Sequence, residues 1–146
     1  MVEVKKLTKY DVEVAEQVRG LLIQLSRSGK DKGEIPEEWF QEVIDSPFHD
    51  LLLAYDGDQV VGCATMSIVM GAGIRKNAYL EDFVTDESVR GKGVGKLLWE
   101  AMLEWMREKG VCRMEFTCGQ GREAAQGFYK SRGAKVYETN FFQYDL

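Results

Sequence analysis

The sequence predicts a single mixed α/β domain in which helices pack against one curved sheet. Three observations carry that expectation. Apolar residues recur at period two in some stretches and at 3.6 in others, and turn residues separate the stretches. The 146 residues also suffice for one core of ordinary size. In chain order the elements read βααβββαβαββ.

The opening VEVKKL alternates at period two and reads as a strand. Thr8 then stands as a helix N-cap, with Asp11 three residues on as an approximate capping box. The helix that follows carries Val14, Val18, Leu21, Leu22 and Leu25 on one face. SRSGKDKGE, with two glycines, is a loop. Pro36 suits a first helical turn, Trp39, Phe40, Val43 and Ile44 form the stripe of a second short helix, and Pro47 ends it. That stripe is expected in the core, with lining of an acceptor pocket as its other use. DLLLAYDGDQVVGCATMSIVM reads as two strands joined at Asp56-Gly57-Asp58, because Asp-Gly is a strong hairpin signal.

After the GAGIRKN turn comes AYLEDFVT, a strand that carries Glu81 and Asp82 in its interior. Neighbouring strand residues point to opposite faces, so one of the two carboxylates is expected to face a cleft. The next helix places Val94, Leu97, Leu98, Ala101, Met102, Trp105 and Met106 on one face and stops at Gly110. VCRMEFTC is a strand and REAAQGFYKSR a helix ending at Gly133. The tail AKVYETNFFQYDL supplies two more short strands.

Composition excludes several classes of function. Apolar residues at 45% and charged residues at 29% describe a chain that packs a core rather than a disordered one. A net charge of −5 argues against indiscriminate binding to nucleic acid or to an anionic membrane, so any bound anion needs a local site. The longest apolar run, LLLAY at 51–55, is too short to span a bilayer, and the N-terminus has no continuous hydrophobic region. Cys63, Cys112 and Cys118 form no CxxC pair, and an odd count suits a reducing compartment; the cytoplasm is the expected location. No His/Cys cluster has metal-ligand spacing, and no metal is expected.

The stretch VRGKGVGKLL at 89–98 is the most informative. A strand, a glycine loop and a helix in succession present free backbone N–H groups and a helix N-terminal dipole to an anion. Each glycine removes a Cβ that would hold a ligand off the backbone, and Arg90, Lys92 and Lys96 add local positive charge. A phosphate or pyrophosphate is the natural occupant; the plainer alternative is a tight turn that starts a helix. A P-loop fails on spacing, since Leu97 follows Gly95-Lys96 and Arg90 stands five residues before Gly95. The dinucleotide pattern GxGxxG fails as well, because its third glycine falls on Lys96 or Leu98.

What does fit is R-x-x-G-x-G, read as Arg90-Gly91-Lys92-Gly93-Val94-Gly95. Between a strand and a helix, it resembles the coenzyme A pyrophosphate loop of the GNAT superfamily of N-acetyltransferases. YLEDFVTDESVRGKGVGKLL resembles the family's strand–loop–helix as a unit. REAAQGFYKSRGAK resembles its second signature, an alanine, then Phe-Tyr, then a glycine ending the helix. The resemblance is close from residue 78 onward and rests only on the order of elements before it. It departs at Arg122, where many members carry Asn, which changes how the acceptor or the pantetheine is contacted.

The resemblance implies one acyl-CoA N-acyltransferase domain over residues 1–146, with a curved, mostly antiparallel sheet of six to seven strands and four helices. It implies acetyl-CoA as co-substrate and, as acceptor, a primary amine of a small molecule or peptide that attacks directly. Phe83, Val84 and Thr85 would meet the pantetheine arm. Arg90, Gly91, Lys92, Gly93, Val94, Gly95 and Lys96 would hold the pyrophosphate, with Arg122 as a further contact.

Acetyl transfer needs a neutral amine, and at pH 7 an alkylamine with a pKa of about 10.4 is mostly ammonium, a gap worth roughly 4.6 kcal/mol. A carboxylate nearby can take that proton. In the family register Glu81, Phe83 and Thr85 share a face, and Glu81 is the expected general base, with Asp82 the alternative. Both carboxylates could instead bond backbone, bind neighbouring cations or hold the substrate's charge. The resemblance makes Tyr129 the acid that protonates the departing thiolate and leaves Phe128 for packing. Cys118 as a nucleophile lacks a histidine partner, since His49, the only one, is expected in a solvated loop.

Two other classes compete: a non-catalytic coenzyme A binding module, which would bind without turnover, and a nucleic-acid binder, disfavoured by net charge. SRSGKDKGEI and GAGIRKN, which border the acceptor in this family, carry both charge signs and do not identify it. TNFFQYDL has apolar surface for either a homodimer contact or plain core.

Overall fold

Strands β1 (Val2–Lys6), β2 (His49–Asp56), β3 (Gln59–Gly71), β4 (Arg75–Thr85) and β5 (Met114–Glu115) form one sheet in chain order. Pairing is antiparallel from β1 to β4 and parallel between β4 and β5. The computed structural model describes residues 1–146. The chain forms two units, Met1–Phe116, which holds the whole sheet, and Thr117–Leu146.

In the first unit the sheet is covered on both faces, which is why residues 50–54 of β2 are buried without interruption. Helices α1 (Val12–Leu25) and α2 (Glu37–Asp45) pack on one face. There Ala15, Val18, Leu21 and Phe40 meet Leu51, Leu53, Cys63 and Val84. Helix α3 (Val94–Lys109) covers the other face with Leu98 and Met102, both fully buried. Full burial of such side chains stabilises by about 1.5–3 kcal/mol each. Near its C-terminal end α3 is pinned to β2, where the Trp105 indole N–H donates to the buried Asp50 carboxylate at 2.7 Å. Lys6 and Lys109 stand 3.7 and 3.6 Å from the same carboxylate. A chain that must return parallel to β4 needs a crossover, and α3 is that crossover.

Helix boundaries follow local chemistry. Asp11, not Thr8, caps α1: its Oδ1 accepts from the amides of Glu13 and Val14 at 2.8 and 3.1 Å. Pro36 is the N-cap of α2 rather than a residue of its first turn, and Ser46, just before Pro47, is its C-cap. Gly110 ends α3 at φ +68, the left-handed conformation that glycine supplies without strain.

The second unit holds α4 (Glu123–Ser131), followed by Gly133 at φ +92. The two predicted strands of the tail are not formed: residues 134–146 contain neither helix nor strand, and Tyr137, Phe141, Phe142 and Tyr144 are exposed. Alternation alone does not make a strand; a ladder partner is needed, and no ladder includes these residues. The sheet therefore has five strands instead of six or seven. β5 is also only two residues long, where eight were expected. The mixed α/β class, the four α-helices and the mostly antiparallel sheet agree with expectation.

Candidate active site

β4 carries the site's first feature. Register with β3 runs Thr65↔Glu81, then Cys63↔Val84, so two residues of β4, Asp82 and Phe83, stand opposite Ala64 alone. This β-bulge inserts one extra residue and reverses the alternation beyond it. Asp82 adopts φ +54, a left-handed conformation that Asp tolerates better than most residues. Its carbonyl accepts the Cys63 thiol at 3.3 Å, and its carboxylate accepts the Thr65 hydroxyl at 3.2 Å.

The consequence corrects the strand-parity expectation. Glu81 and Asp82 are not on opposite faces; both line one cavity of about 1090 Å³ between the α1–α2 layer and the sheet. Nor do Glu81 and Thr85 share a face. Val84, paired with Cys63, joins the α1–α2 core, while Thr85 lies within 3.4 Å of a Cβ placed on Gly62, on the α3 side. One extra residue is the physical reason.

The cavity has an apolar floor that includes Val18, Leu22, Phe40 and Leu51. His49 also lines it, against expectation, and so does Trp39, for which pocket lining was the alternative to the core. His49 is not in a loop but opens β2, with Ser46 Oγ 2.8 Å from its Nδ1. Trp39 is exposed at 65% rather than part of the core. Burial pushes the Cys63 thiol pKa well up, with the Asp82 charge adding to it, so this lining cysteine stays a thiol. The loop between α1 and α2 is held to α1 by Arg19, whose Nε donates to Asp31 at 2.9 Å. That guanidinium, followed by the Gly33 amide, lowers the Asp31 pKa to about 2.

β4 also leads into the second feature. Its ladder to β5 ends at Tyr79↔Glu115, so Phe83, Val84 and Thr85 lie beyond the end of that ladder. Asp86 then caps a single 3₁₀ turn, Glu87–Val89, by accepting from the Ser88 amide at 2.9 Å. Hydrogen bonds from Ser88, then Gln24, hold the Asp86 carboxyl below its ordinary pKa. Gln24 of α1 grips this turn twice, donating to Asp86 at 2.9 Å and accepting from the Glu87 amide at 3.0 Å. Sequence reading missed Gln24, because a glutamine on a helix carries no signal of a contact some sixty residues away.

Val89, Val94 and Leu98 are buried and anchor the loop from below, while Arg90, Lys92 and Lys96 are exposed. Gly91 and Gly93 take φ +77 and +86, and nothing lies within 4 Å of where their Cβ atoms would be. Intrachain bonding resumes with the Leu97 amide, which donates to the Gly93 carbonyl at 3.1 Å. The amides of Gly91, Gly93, Val94, Gly95 and Lys96 take no partner in the chain. Lys96 stands 3.8 Å from Glu100, whereas Arg90 and Lys92 make no ion pair. The loop thus joins unpartnered amides, a helix N-terminus and two uncommitted cations, a combination suited to a pyrophosphate.

In the second unit Arg122 is the N-cap residue of α4, and its amide donates to the Gly119 carbonyl at 3.0 Å. Tyr129 is buried, 5.8 Å from the Phe128 ring centroid in an edge-on arrangement. Burial, then the neighbouring Cys118, raises its pKa, with Arg122 opposing. No three His, Cys, Asp or Glu side chains converge so as to hold a metal ion.

A strand that carries two carboxylates at a bulge in a cavity wall and leads on to a glycine loop of unpartnered amides at a helix N-terminus is the defining feature of this chain. The chain belongs to the Acetyltransferase (GNAT) family, whose model matches residues 16–134. Solved structures share the fold. An aminoglycoside acetyltransferase from an uncultured soil metagenomic sample, in complex with trehalose, superposes with a TM-score of 0.86 at 21% identity, covering 99% of this chain and 96% of that one. A transcriptional regulator from Bacillus halodurans gives 0.83 at 21% identity, with 99% and 100% covered. A Trypanosoma brucei acetyltransferase gives 0.76 at 22% identity, with both chains covered in full. At these identities the likeness is one of fold.

Proposed function

We propose that residues 1–146 act as one domain that moves an acetyl group from acetyl-CoA to a primary amine held in the cavity. One observation carries this reading: β4 bears Glu81 and Asp82 in the cavity wall and runs directly into the loop of unpartnered amides. Arg90, Lys92 and the amides of Gly91, Gly93, Val94, Gly95 and Lys96 hold the pyrophosphate, and Phe83, Val84 and Thr85 follow the pantetheine, with Arg122 a further contact. Bound acetyl-CoA supplies the acetyl thioester and leaves as the thiol.

The chain's own residues handle the protons. Glu81 and Asp82 have no cationic partner in the chain, and Glu81, as general base, takes a proton from the ammonium group; Asp82 is its alternate. That removes a cost of roughly 4.6 kcal/mol at pH 7. Tyr129, with its pKa raised by burial, keeps its proton at neutral pH and donates it to the thiolate. An amine acceptor is supported by the aminoglycoside acetyltransferase of the same fold, which was also solved with sisomicin.

The cytoplasm is the proposed location; no helix is long and apolar enough to cross a membrane. The exposed aromatic residues of the tail support self-association as a homodimer, which sedimentation velocity tests directly. The test of the activity is release of free thiol from acetyl-CoA over a panel of primary amines. Acetyl-CoA-dependent turnover of at least one amine is expected. Coenzyme A binding with no turnover of any amine overturns the reading in favour of a non-catalytic binding module.

A further inference from the structure

We infer that the acceptor is a small polycation, a non-peptide amine with two or more ammonium groups and no carboxylate. This rests on the acetyl-transfer reading and specifies its acceptor.

The cavity, at about 1090 Å³, is large enough for a drug-sized molecule. Its charge is of one sign. α2 contributes Glu37, Glu38, Glu42 and Asp45 to the lining, and β4 contributes Glu81 and Asp82. No lysine or arginine lines it, although the chain has 19 of them. None of the six carboxylates is in an ion pair. Where they are engaged at all the donor is neutral: Gln41 donates to Asp45 at 2.9 Å, and Thr65 to Asp82. A ligand with a carboxylate of its own, such as an amino acid or the C-terminal residue of a peptide, meets uncompensated repulsion here.

Glu37 and Glu38 sit at the favourable positive end of the α2 dipole, but the helix bears its other two charges against its own interest. Glu38, Glu42 and Asp45 repeat at i, i+4 and i+7, where like charges repel. Glu42 and Asp45 also sit at the negative end of the helix dipole, in a last turn with no basic residue. Both effects destabilise the empty protein, and cations bound along the helix relieve both. At 1.5 Å of rise per residue the row extends about 10 Å, which one ammonium group cannot span but a polyamine can. Trp39, from the first turn of the same helix, adds an exposed aromatic face to the lining. Such a face attracts cations and stacks on alkyl or sugar carbons.

Glu81, next to the bulge, is placed for the reacting ammonium, and the α2 row holds the others. At the reacting group one N–C bond forms and the thioester C–S bond breaks. The nitrogen gives up two protons, of which the balance puts one on the sulfur and one in solvent. The product has one positive charge fewer, so its hold on the row weakens as the reaction completes.

Linear aliphatic polyamines and polyamino sugars share this chemistry, and the test separates them. Calorimetric titration of the full chain, without acetyl-CoA, uses spermidine, kanamycin, butylamine and a neutral-side-chain dipeptide. Spermidine or kanamycin should bind at least about tenfold more tightly than either single-ammonium probe, with affinity falling as salt rises. The preferred probe identifies the source. The double variant Glu38→Gln/Glu42→Gln should weaken polycation binding about three- to tenfold, and in turnover raise KM with kcat unchanged. Glu104→Gln, on α3 away from the cavity, should leave both unaltered. Equal binding of polycations and single-ammonium probes, or an unaffected double variant, overturns the inference. Polycation binding without acetylation leaves the cavity a polycation site and overturns the acetyl-transfer reading, and with it the acceptor role, alone.

Discussion

Leu98 of α3 presses on the sheet at Gly62 of β3, and Gly62→Ala is the sharpest test of how the glycine loop is positioned. A Cβ there would fall 2.9 Å from Leu98 Cδ1, 3.1 Å from the Val84 carbonyl oxygen and 3.4 Å from Thr85 Cγ2. Leu98 is fully buried and cannot swing aside into solvent, and the Val84 oxygen belongs to the β4 backbone. The new methyl must therefore lift α3 or bend β4. Overpacking of this kind costs about 1–3 kcal/mol. For a chain of this size that lowers Tm by roughly 3–10 °C. Leu98 follows the glycine loop by about one turn, so the same displacement should raise KM for acetyl-CoA. Thermal denaturation followed by circular dichroism, together with KM, reads both effects. Gly20→Ala in α1 is the reference: its Cβ meets nothing within 4 Å at an exposed helical position, and it should gain about 0.4–1 kcal/mol. Wild-type Tm and KM for Gly62→Ala would refute the reasoning.

Removing the uncommitted charges of the loop with Arg90→Ala/Lys92→Ala should raise KM for acetyl-CoA roughly two- to tenfold while kcat changes less, and the difference should shrink in high salt. Tyr129→Phe should lower kcat by about 100-fold or more with little change in KM for acetyl-CoA; wild-type turnover removes Tyr129 from the mechanism. Because burial raises the Tyr129 pKa, its folded form favours the neutral phenol. The wild-type rate should therefore keep its acid to higher pH than an exposed phenol would and lose it as pH climbs past the raised value, while the same group's share of stability fades over that interval. Trp105→Phe strands the buried Asp50 without its 2.7 Å donor and should cost about 1–3 kcal/mol, measured by urea denaturation.

Much of this architecture is legible in local chemistry. The α3 stripe apart from the exposed Leu97, the Asp56-Gly57 turn and the Gly110 stop each depend on neighbours within a few residues, and each lies where local sequence put it. Thr8 and Asp11 were both plausible caps by type, and which side chain reaches an amide is settled only by the angle at which β1 hands over to α1. Trp39 shows a larger limit. It sits on the apolar stripe of α2 beside the buried Phe40 yet is itself 65% exposed, because an apolar residue is buried only where something covers it. The tail fails for a similar reason, since its alternating aromatic residues specify a face but not a ladder to join.

The sequence by itself determined the glycine loop and its local charge. Glycines at residues 91, 93 and 95 with Arg90 and Lys92 act through backbone conformation and local charge, both encoded within a few residues, and two nucleotide motifs could be rejected by spacing alone. Only the tertiary structure decided what stands opposite that loop. The bulge that brings Glu81 and Asp82 to one wall comes from how β3 and β4 register across the sheet. The acidic, cation-free lining comes from packing α2 over that wall, forty residues away in the chain. Register and packing are relations between distant segments, and no window of sequence contains them.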